Sequence, residues 1–246
     1  MMRFKISLFC FIVFLSSYVG AQTADQVIKS YVKSIGGKKA WMKVKTMTTS
    51  GEYDYGGIVF PFTTYAKTPD LYKFVVSFNG KYYAQAFDGT KGWKIDAFKN
   101  ETKPTLLAGN DALAIANESD VELVSAFVDY QQKGHQAIVT GKDSVDGRTC
   151  TKVHFTRKNG ETEDYYFDAQ TSELVMKIAP SKNVELQRAP LSIHYSNYRD
   201  VDGIRIPFKT ICESGGQMIL TITISNAAIN TIIEDKSFQP DSTESN

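Results

Sequence analysis

Residues that carry special chemistry are scarce in this chain. Of 246 residues only three are cysteine, three histidine and two tryptophan. His135, His154 and His194 do not fall at a zinc-protease spacing, and the cysteines, histidines and acids do not cluster as metal ligands. There is no Gly-x-Ser-x-Gly elbow and no glycine-rich phosphate loop before a helix. The sequence therefore nominates no catalytic residue, no metal and no cofactor. Net charge is also missing. Without Arg3 and Lys5 the 28 bases become 26 against 27 acids, a formal charge of −1. A nearly neutral chain without a basic block argues against nucleic acid as a partner. Beyond residue 21 no apolar run is long enough to span a bilayer, which takes roughly 20 residues.

The polar candidates that remain have plain explanations. His154 and His194 alternate onto the expected solvent side of their strands. Glu161, Glu163 and Asp164 flank a hairpin and read as a solvated edge. Asp143 and Asp146 sit in a turn, whereas calcium wants six or more oxygens. The sequons at Asn100 and Asn117 matter only in a glycosylating cell.

The first 21 residues are organised differently. Arg3 and Lys5 precede an apolar run, Ile6 to Leu15, and small residues follow at Val19-Gly20-Ala21. This is the pattern of a secretory signal peptide, residues 1–21, cleaved after Ala21. Cys10 follows Phe9, where lipoprotein processing wants a small residue, so a soluble exported protein is expected. Removing 21 residues from 246 leaves 225, a length suited to one domain or at most two. Cys150 and Cys212 then remain. An exported pair can be a disulfide. Alternation, however, groups Cys150 with Arg148 and Lys152, and Cys212 with Phe208 and Ile206. Both readings stay open.

The spacing of Val27, Ile28, Tyr31, Val32 and Ile35 predicts a helix over Asp25 to Ile35, ended by Gly36-Gly37. Lys38 to Lys43 adds a short turn of helix. From Thr46 the period becomes two. Strands are expected over Thr46–Tyr55, Ile58–Lys67, Leu71–Phe78, Tyr82–Asp88 and Trp93–Phe98. Asn-Gly and Asp-Gly turns between them tolerate positive φ. Asp111 to Tyr130 reads as a helical insertion. Seven further strands run over His135–Gly141, Arg148–Arg157, Thr162–Asp168, Glu173–Ala179, Leu191–Arg199, Ile204–Glu213 and Gln217–Ile224. Twelve strands with two helical regions make a mainly β, α+β chain. The expected architecture is a large curved antiparallel sheet, an incomplete β-barrel capped by the N-terminal helix and the insertion. Residues 22–240 read as a single domain and 241–246 as a flexible tail.

One face of the predicted sheet is unusually apolar. Phe60 and Phe62 alternate on one strand, and Tyr72, Phe74, Val76 and Phe78 on the next. Trp93 and Ile95 follow, then Leu174, Met176 and Ile178, then Ile204, Ile206 and Phe208, then Leu220, Ile222 and Ile224. Leu113, Leu123 and Phe127 supply the apolar side of the insertion. Two readings remain: an ordinary core, or a cavity for acyl chains under a helical cover.

A resemblance enters at Ala66-Lys67-Thr68-Pro69-Asp70-Leu71-Tyr72-Lys73-Phe74, followed by Phe87-Asp88-Gly89-Thr90-Lys91-Gly92-Trp93 and Ile95-Asp96-Ala97-Phe98. These stretches resemble the lipoprotein-sorting family LolA/LolB. The run Tyr198 to Phe208, with Asp202-Gly203 and Pro207, is similar to a LolA-like subgroup. So is Asn230 to Pro240, ending Phe238-Gln239-Pro240. The resemblance implies a half barrel with a helical lid. It also implies a periplasmic location and no enzymatic activity. Its cargo would be lipid acyl chains or lipoproteins, and its protein partners an inner-membrane exporter or an outer-membrane acceptor. A monomer is expected. The cavity and lid residues would be Phe60, Phe62, Tyr72, Phe74, Val76, Phe78, Trp93, Ile95, Leu113, Leu123, Phe127, Met176, Ile206, Phe208 and Ile222. In the carriers an Arg before the Pro latches the lid. Here Thr68 stands in that place with Lys67 before it, so a latch would rest on weaker donors. A sensor or scaffold of the same fold that binds a protein is the alternative, and an enzyme acting on an apolar substrate a third.

Overall fold

The computed structural model describes residues 22–109, 111, 112, 115, 126–181 and 189–240. The expected signal peptide, the expected tail, Leu113 and Leu123 lie outside these residues. Helix α1 (Ala24–Ser34) begins in a capping box. Thr23 Oγ1 accepts from Gln26 N–H, and Gln26 Oε1 accepts from Thr23 N–H. Two orphan donors of the first turn are thereby satisfied. The helix ends at Gly36, whose φ of +110° only glycine adopts easily. A Cβ there would lie 2.3 Å from the Gly203 carbonyl oxygen. The Ile35 carbonyl accepts from Arg205 N–H, which pins the end of α1 to the sheet. A short α2 (Lys38–Trp41) follows, and Trp41 Nε1–H donates to the Ile35 carbonyl at 3.0 Å.

Thirteen strands then form one antiparallel sheet. They are β1 (Thr46–Tyr55), β2 (Ile58–Lys67), β3 (Leu71–Phe78), β4 (Lys81–Asp88), β5 (Gly92–Asp96), β6 (Glu101–Leu106), β7 (Gln136–Val145), β8 (Arg148–Thr156), β9 (Thr162–Asp168), β10 (Leu174–Pro180), β11 (Pro190–Val201), β12 (Ile204–Ser214) and β13 (Gln217–Ile229). Their spatial order is β6-β5-β4-β3-β2-β1-β13-β12-β11-β10-β9-β8-β7. Two meanders therefore meet at β1 and β13. The barrel stays open, because β6 and β7 form its two edges. The expected helical insertion is the chain between those edges. Two of its described residues reach inside the curve: Ile115 against Gly92, and Phe127 against Tyr31, Phe155 and Phe167.

Several boundaries differ from expectation. β7 runs on past Gly141 to Val145, so Asp143 lies in a strand and not in a turn; β13 runs on past Ile224 to Ile229; and residues 126–130, expected as the end of a helix, are turns. Glu101–Leu106 is a thirteenth strand, although it holds Pro104; an edge strand tolerates proline because one row of its donors faces no partner. Trp93–Phe98 is not one strand. It breaks after Asp96 into a 3-10 turn, Ala97–Lys99, where the Asp96 carboxylate accepts from Lys99 N–H.

Directly paired residues share a face, so the register sorts the two sides of the sheet. The concave side carries Met47, Ala66, Tyr72, Phe155, Phe167 and Ile204, which enclose the buried face of α1 in one core with Ile206, Phe208 and Phe127. A second core lies on the convex side of β3–β5: Ala84, Ala86, Trp93 and Ile95, all nearly inaccessible. The C-terminal segment covers it. Phe238 is fully buried there, and its carbonyl accepts from Trp93 Nε1–H at 2.7 Å. Lys73 Nζ donates to the Ser237 carbonyl and lies over the Trp93 ring.

Candidate functional site: a half-covered concave trough

The concave side has two halves. Under α1 it is closely packed: Val27, Ile28, Tyr31, Val32 and Ile35 are buried in one core with Met47, Phe155, Phe167 and Ile204. Beyond the reach of α1 the register lays down a different surface. Phe60 pairs with Tyr53, Tyr53 with Ile222, Ile222 with Thr210 and Thr210 with Tyr195. A parallel row runs Ile58, Tyr55, Leu220, Cys212, Ile193 and Lys177. Most of these side chains are only half-buried. Rings link the rows lengthwise. Phe62 stacks on Phe74 with centroids 6.1 Å apart, Tyr53 meets Phe74 edge-on at 5.6 Å, and Phe60 meets Phe78 at 5.5 Å.

Gly51 marks where this half begins. It sits at a register shift between β1 and β13, where a Cβ would lie 2.0 Å from the Thr223 carbonyl oxygen. A bulge of this kind bends the strand and tightens the local twist.

Polar groups interrupt the apolar wall: Gln85, Lys94 and Asp96 share the face of Phe74, Thr210 and Lys177 stand in the rows themselves, and Glu163 is a buried anion beyond them. Glu163 Oε2 accepts from Arg157 Nε–H at 2.9 Å and from Tyr165 O–H at 2.6 Å, and Lys177 Nζ stands 3.5 Å from Oε1. Burial pushes the carboxyl up, but the Lys177 and Arg157 charges with the Tyr165 and Arg157 hydrogen bonds outweigh it and hold it at about 2. Glu163 is thus a buried ionised group, not the solvated edge expected from sequence. Burial raises the Tyr165 hydroxyl, and Glu163 raises it further. Tyr53 is pushed up to about 12, chiefly by burial. Among the described residues every buried side-chain nitrogen and oxygen has a partner. His154 and His194 lie on the convex side, bonded to Asp164 at 2.7 Å and Asp146 at 3.0 Å.

The structure brings Phe60, Phe62, Phe74, Val76, Phe78 and Ile222 onto the open half of the trough, and Tyr72, Phe127, Ile206 and Phe208 into the core beneath α1. Three expected members lie elsewhere. Trp93 pairs with Ala86, which pairs with Lys73, so Trp93 and Ile95 face the convex side. Met176 is also convex, packed with Cys150 and Tyr166. A register shift between Leu174 and Met176 inserts one residue, and one residue reverses the face of everything after it. Cys150 and Cys212 are free thiols on opposite faces of the sheet, so they form no disulfide. Lys67 Nζ donates to the Ile233 carbonyl at 2.7 Å and pairs with Asp235 at 2.6 Å. Thr68 bonds the Lys45 carbonyl. Among the described residues the expected latch pair therefore holds the C-terminal segment and Lys45, the residue before β1, not the insertion.

No protein-family model matches the sequence, and no curated protein matches it. Solved structures do. A DUF1329 family protein from Desulfovibrio piger superposes with a TM-score of 0.60 at 16% identity, covering 87% of this chain and 95% of that one. A LolA superfamily protein from Nitrosomonas europaea gives 0.57 at 11% identity, covering 89% and 98%. An outer membrane lipoprotein-sorting protein domain from Vibrio parahaemolyticus gives 0.56 at 10% identity, covering 86% and 97%. At these identities the likeness is one of architecture: thirteen strands, an open edge and helices inside the curve give this chain the LolA-like fold.

Proposed function

We propose that this protein is a periplasmic carrier that buries the acyl chains of lipids or lipoproteins in the open half of its trough. The observation that carries this reading is the half-exposed row Phe60–Tyr53–Ile222–Tyr195, next to a core that is already solid. A soluble protein leaves such a contiguous apolar concavity when something fills it. The driving force is transfer of methylene groups from water, about 0.8 kcal/mol each. The names of two fold neighbours support the reading, one a LolA superfamily protein and one a lipoprotein-sorting domain. The apolar segment ending at Ala21 supports export, and no helix among the described residues is long and apolar enough to cross a membrane. No bond is made or broken. The protein acts as a monomer, receiving cargo from an inner-membrane exporter and giving it to an outer-membrane acceptor.

The test is a homologous series of saturated fatty acids displacing a fluorescent one from the protein. Affinity is expected to rise about fourfold per methylene until the trough is full, the Boltzmann equivalent of that transfer energy. Phe74→Ser is expected to weaken binding at least tenfold. Affinity independent of chain length, or untouched by Phe74→Ser, would contradict the proposal.

A further inference from the structure

The two meanders are antiparallel throughout, so the β1–β2, β3–β4 and β12–β13 hairpins all turn at the same end of the sheet. Hairpin tips on a protein surface are ordinarily polar. These are not. Tyr55, Ile58 and Val59 on the first, Phe78 and Tyr82 on the second and Met218 on the third are exposed, Ile58 by 53% and Met218 by 63%. Across the tips Asp54–Val59, Phe78–Tyr82 and Gly215–Met218, Asp54 and Lys81 are the two charged residues and cancel; the β8–β9 turn at the same end, farther along the sheet, carries Lys158 and Glu161. The turns between them are Gly56-Gly57, Asn79-Gly80 and Gly215-Gly216, compact and without bulk.

The first two of these tips are continuous with the trough. Phe78 touches Phe60, Phe60 also meets Phe98 at 5.9 Å, and Tyr55 stacks on Tyr53 at 6.4 Å. Tyr53 and Phe74 then lead inward to Phe62. An unbroken apolar path therefore runs from these two tips to the trough floor.

We infer that this end of the barrel docks on a lipid bilayer, with the three hairpin tips entering the headgroup region so that an acyl chain passes between membrane and trough without crossing water. Separate knobs on three hairpins suit a fluid medium that closes around each of them. A folded protein partner would have to supply a matched pocket for every tip. Tyrosines at the rim fit the interface, where an apolar ring meets a wet hydroxyl. The balance of one acid and one base across these tips fits insertion driven by apolar area, not adsorption onto anionic headgroups. The inference rests on the carrier reading only for the direction of transfer; docking itself is independent of it.

Flotation of the full chain, freed of its first 21 residues, with vesicles of pure phosphatidylcholine tests this. The protein is expected to float with neutral vesicles, and equally at high salt. The Val59→Ser, Tyr82→Ser, Met218→Ser triple variant, which changes one exposed side chain on each hairpin and none in the trough, is expected to lose at least tenfold in vesicle affinity. Its fatty-acid affinity and circular dichroism should stay unchanged, since all three side chains are exposed. Phe74→Ser should do the reverse and float normally. No flotation of the unaltered chain would overturn docking. So would binding that needs anionic lipid and vanishes at high salt, or a triple variant that floats undiminished. Vesicle binding by a protein whose trough takes no fatty acid would leave docking standing and refute the carrier reading alone.

Discussion

Two single residues bear more of this structure than their size suggests. Gly36 combines a φ of +110° with an approach that leaves no room for a Cβ beside Gly203. Gly36→Ala is expected to cost about 1–3 kcal/mol from the backbone conformation alone, with the displaced hairpin adding to it. Urea unfolding of the variant measures this. Glu163 is held near 2, below its ordinary 4.5. A carboxyl depressed on folding contributes stability that is complete above the unfolded value and disappears as pH falls through the folded one. The loss therefore belongs between about pH 4.5 and pH 2. Glu163→Gln should cost about 3–5 kcal/mol at neutral pH, because Arg157 and Lys177 then lose their counter-charge. It should also flatten the fall in urea midpoint over that acid window. An unchanged acid profile would show that Glu163 is not the group responsible. Sequence could not reveal this network. Lys177 lies 14 residues from Glu163, and only the register of β9 with β10 brings them together.

At the scale of elements, the C-terminal segment is the feature that alternation alone did not reveal. Period-two patterning shows which residues of a strand share a face. It does not say which face of the neighbouring strand they join. Trp93 and Ile95 alternate as correctly as Phe74 and Val76, yet they serve a second core on the other side of the sheet. The same limit applies to Met176, where one inserted residue beyond Leu174 reverses the phase. Helix α1 and its glycine stop were legible because those signals are local. So were the hairpins, whose Asn-Gly and Asp-Gly turns sit where positive φ is needed. The motifs behind the LolA-like resemblance turn out to be joints of the fold. Asp88 accepts from the Thr90 and Lys91 amides in its turn, Asp200 from Gly203 N–H, and Trp93 is tied to Phe238. Phe238→Ala is expected to cost about 3–5 kcal/mol, the usual range for a fully buried phenylalanine. It should also shift Trp93 emission to the red. Emission that stays blue in the folded variant would mean that the segment does not seal Trp93 from water.

For the whole molecule, the division of the concave side into a solid half and an open half decides what the protein can do. The solid half spends α1, Phe127 and the aromatic cluster of Phe155, Tyr165 and Phe167 on stability. The open half leaves Tyr53, Phe60, Phe74 and Ile222 partly uncovered, with apolar tips at its mouth. An open antiparallel sheet makes this division easily, because its two edges need not meet and a bulge such as that at Gly51 bends the strand. The apolar count of the strands announced a greasy face. It could not announce that α1 stops short of covering all of it, since that depends on where Gly36 anchors the helix against Gly203.

The measurement closest to this claim is an anomalous-difference map from crystals of the protein grown with a terminally brominated fatty acid. Bromine is expected inside the curve, between Phe74, Phe62 and Ile222. Bromine found only on the outer surface, with the side chains of the open half closed against one another, would contradict the trough as a hydrocarbon site.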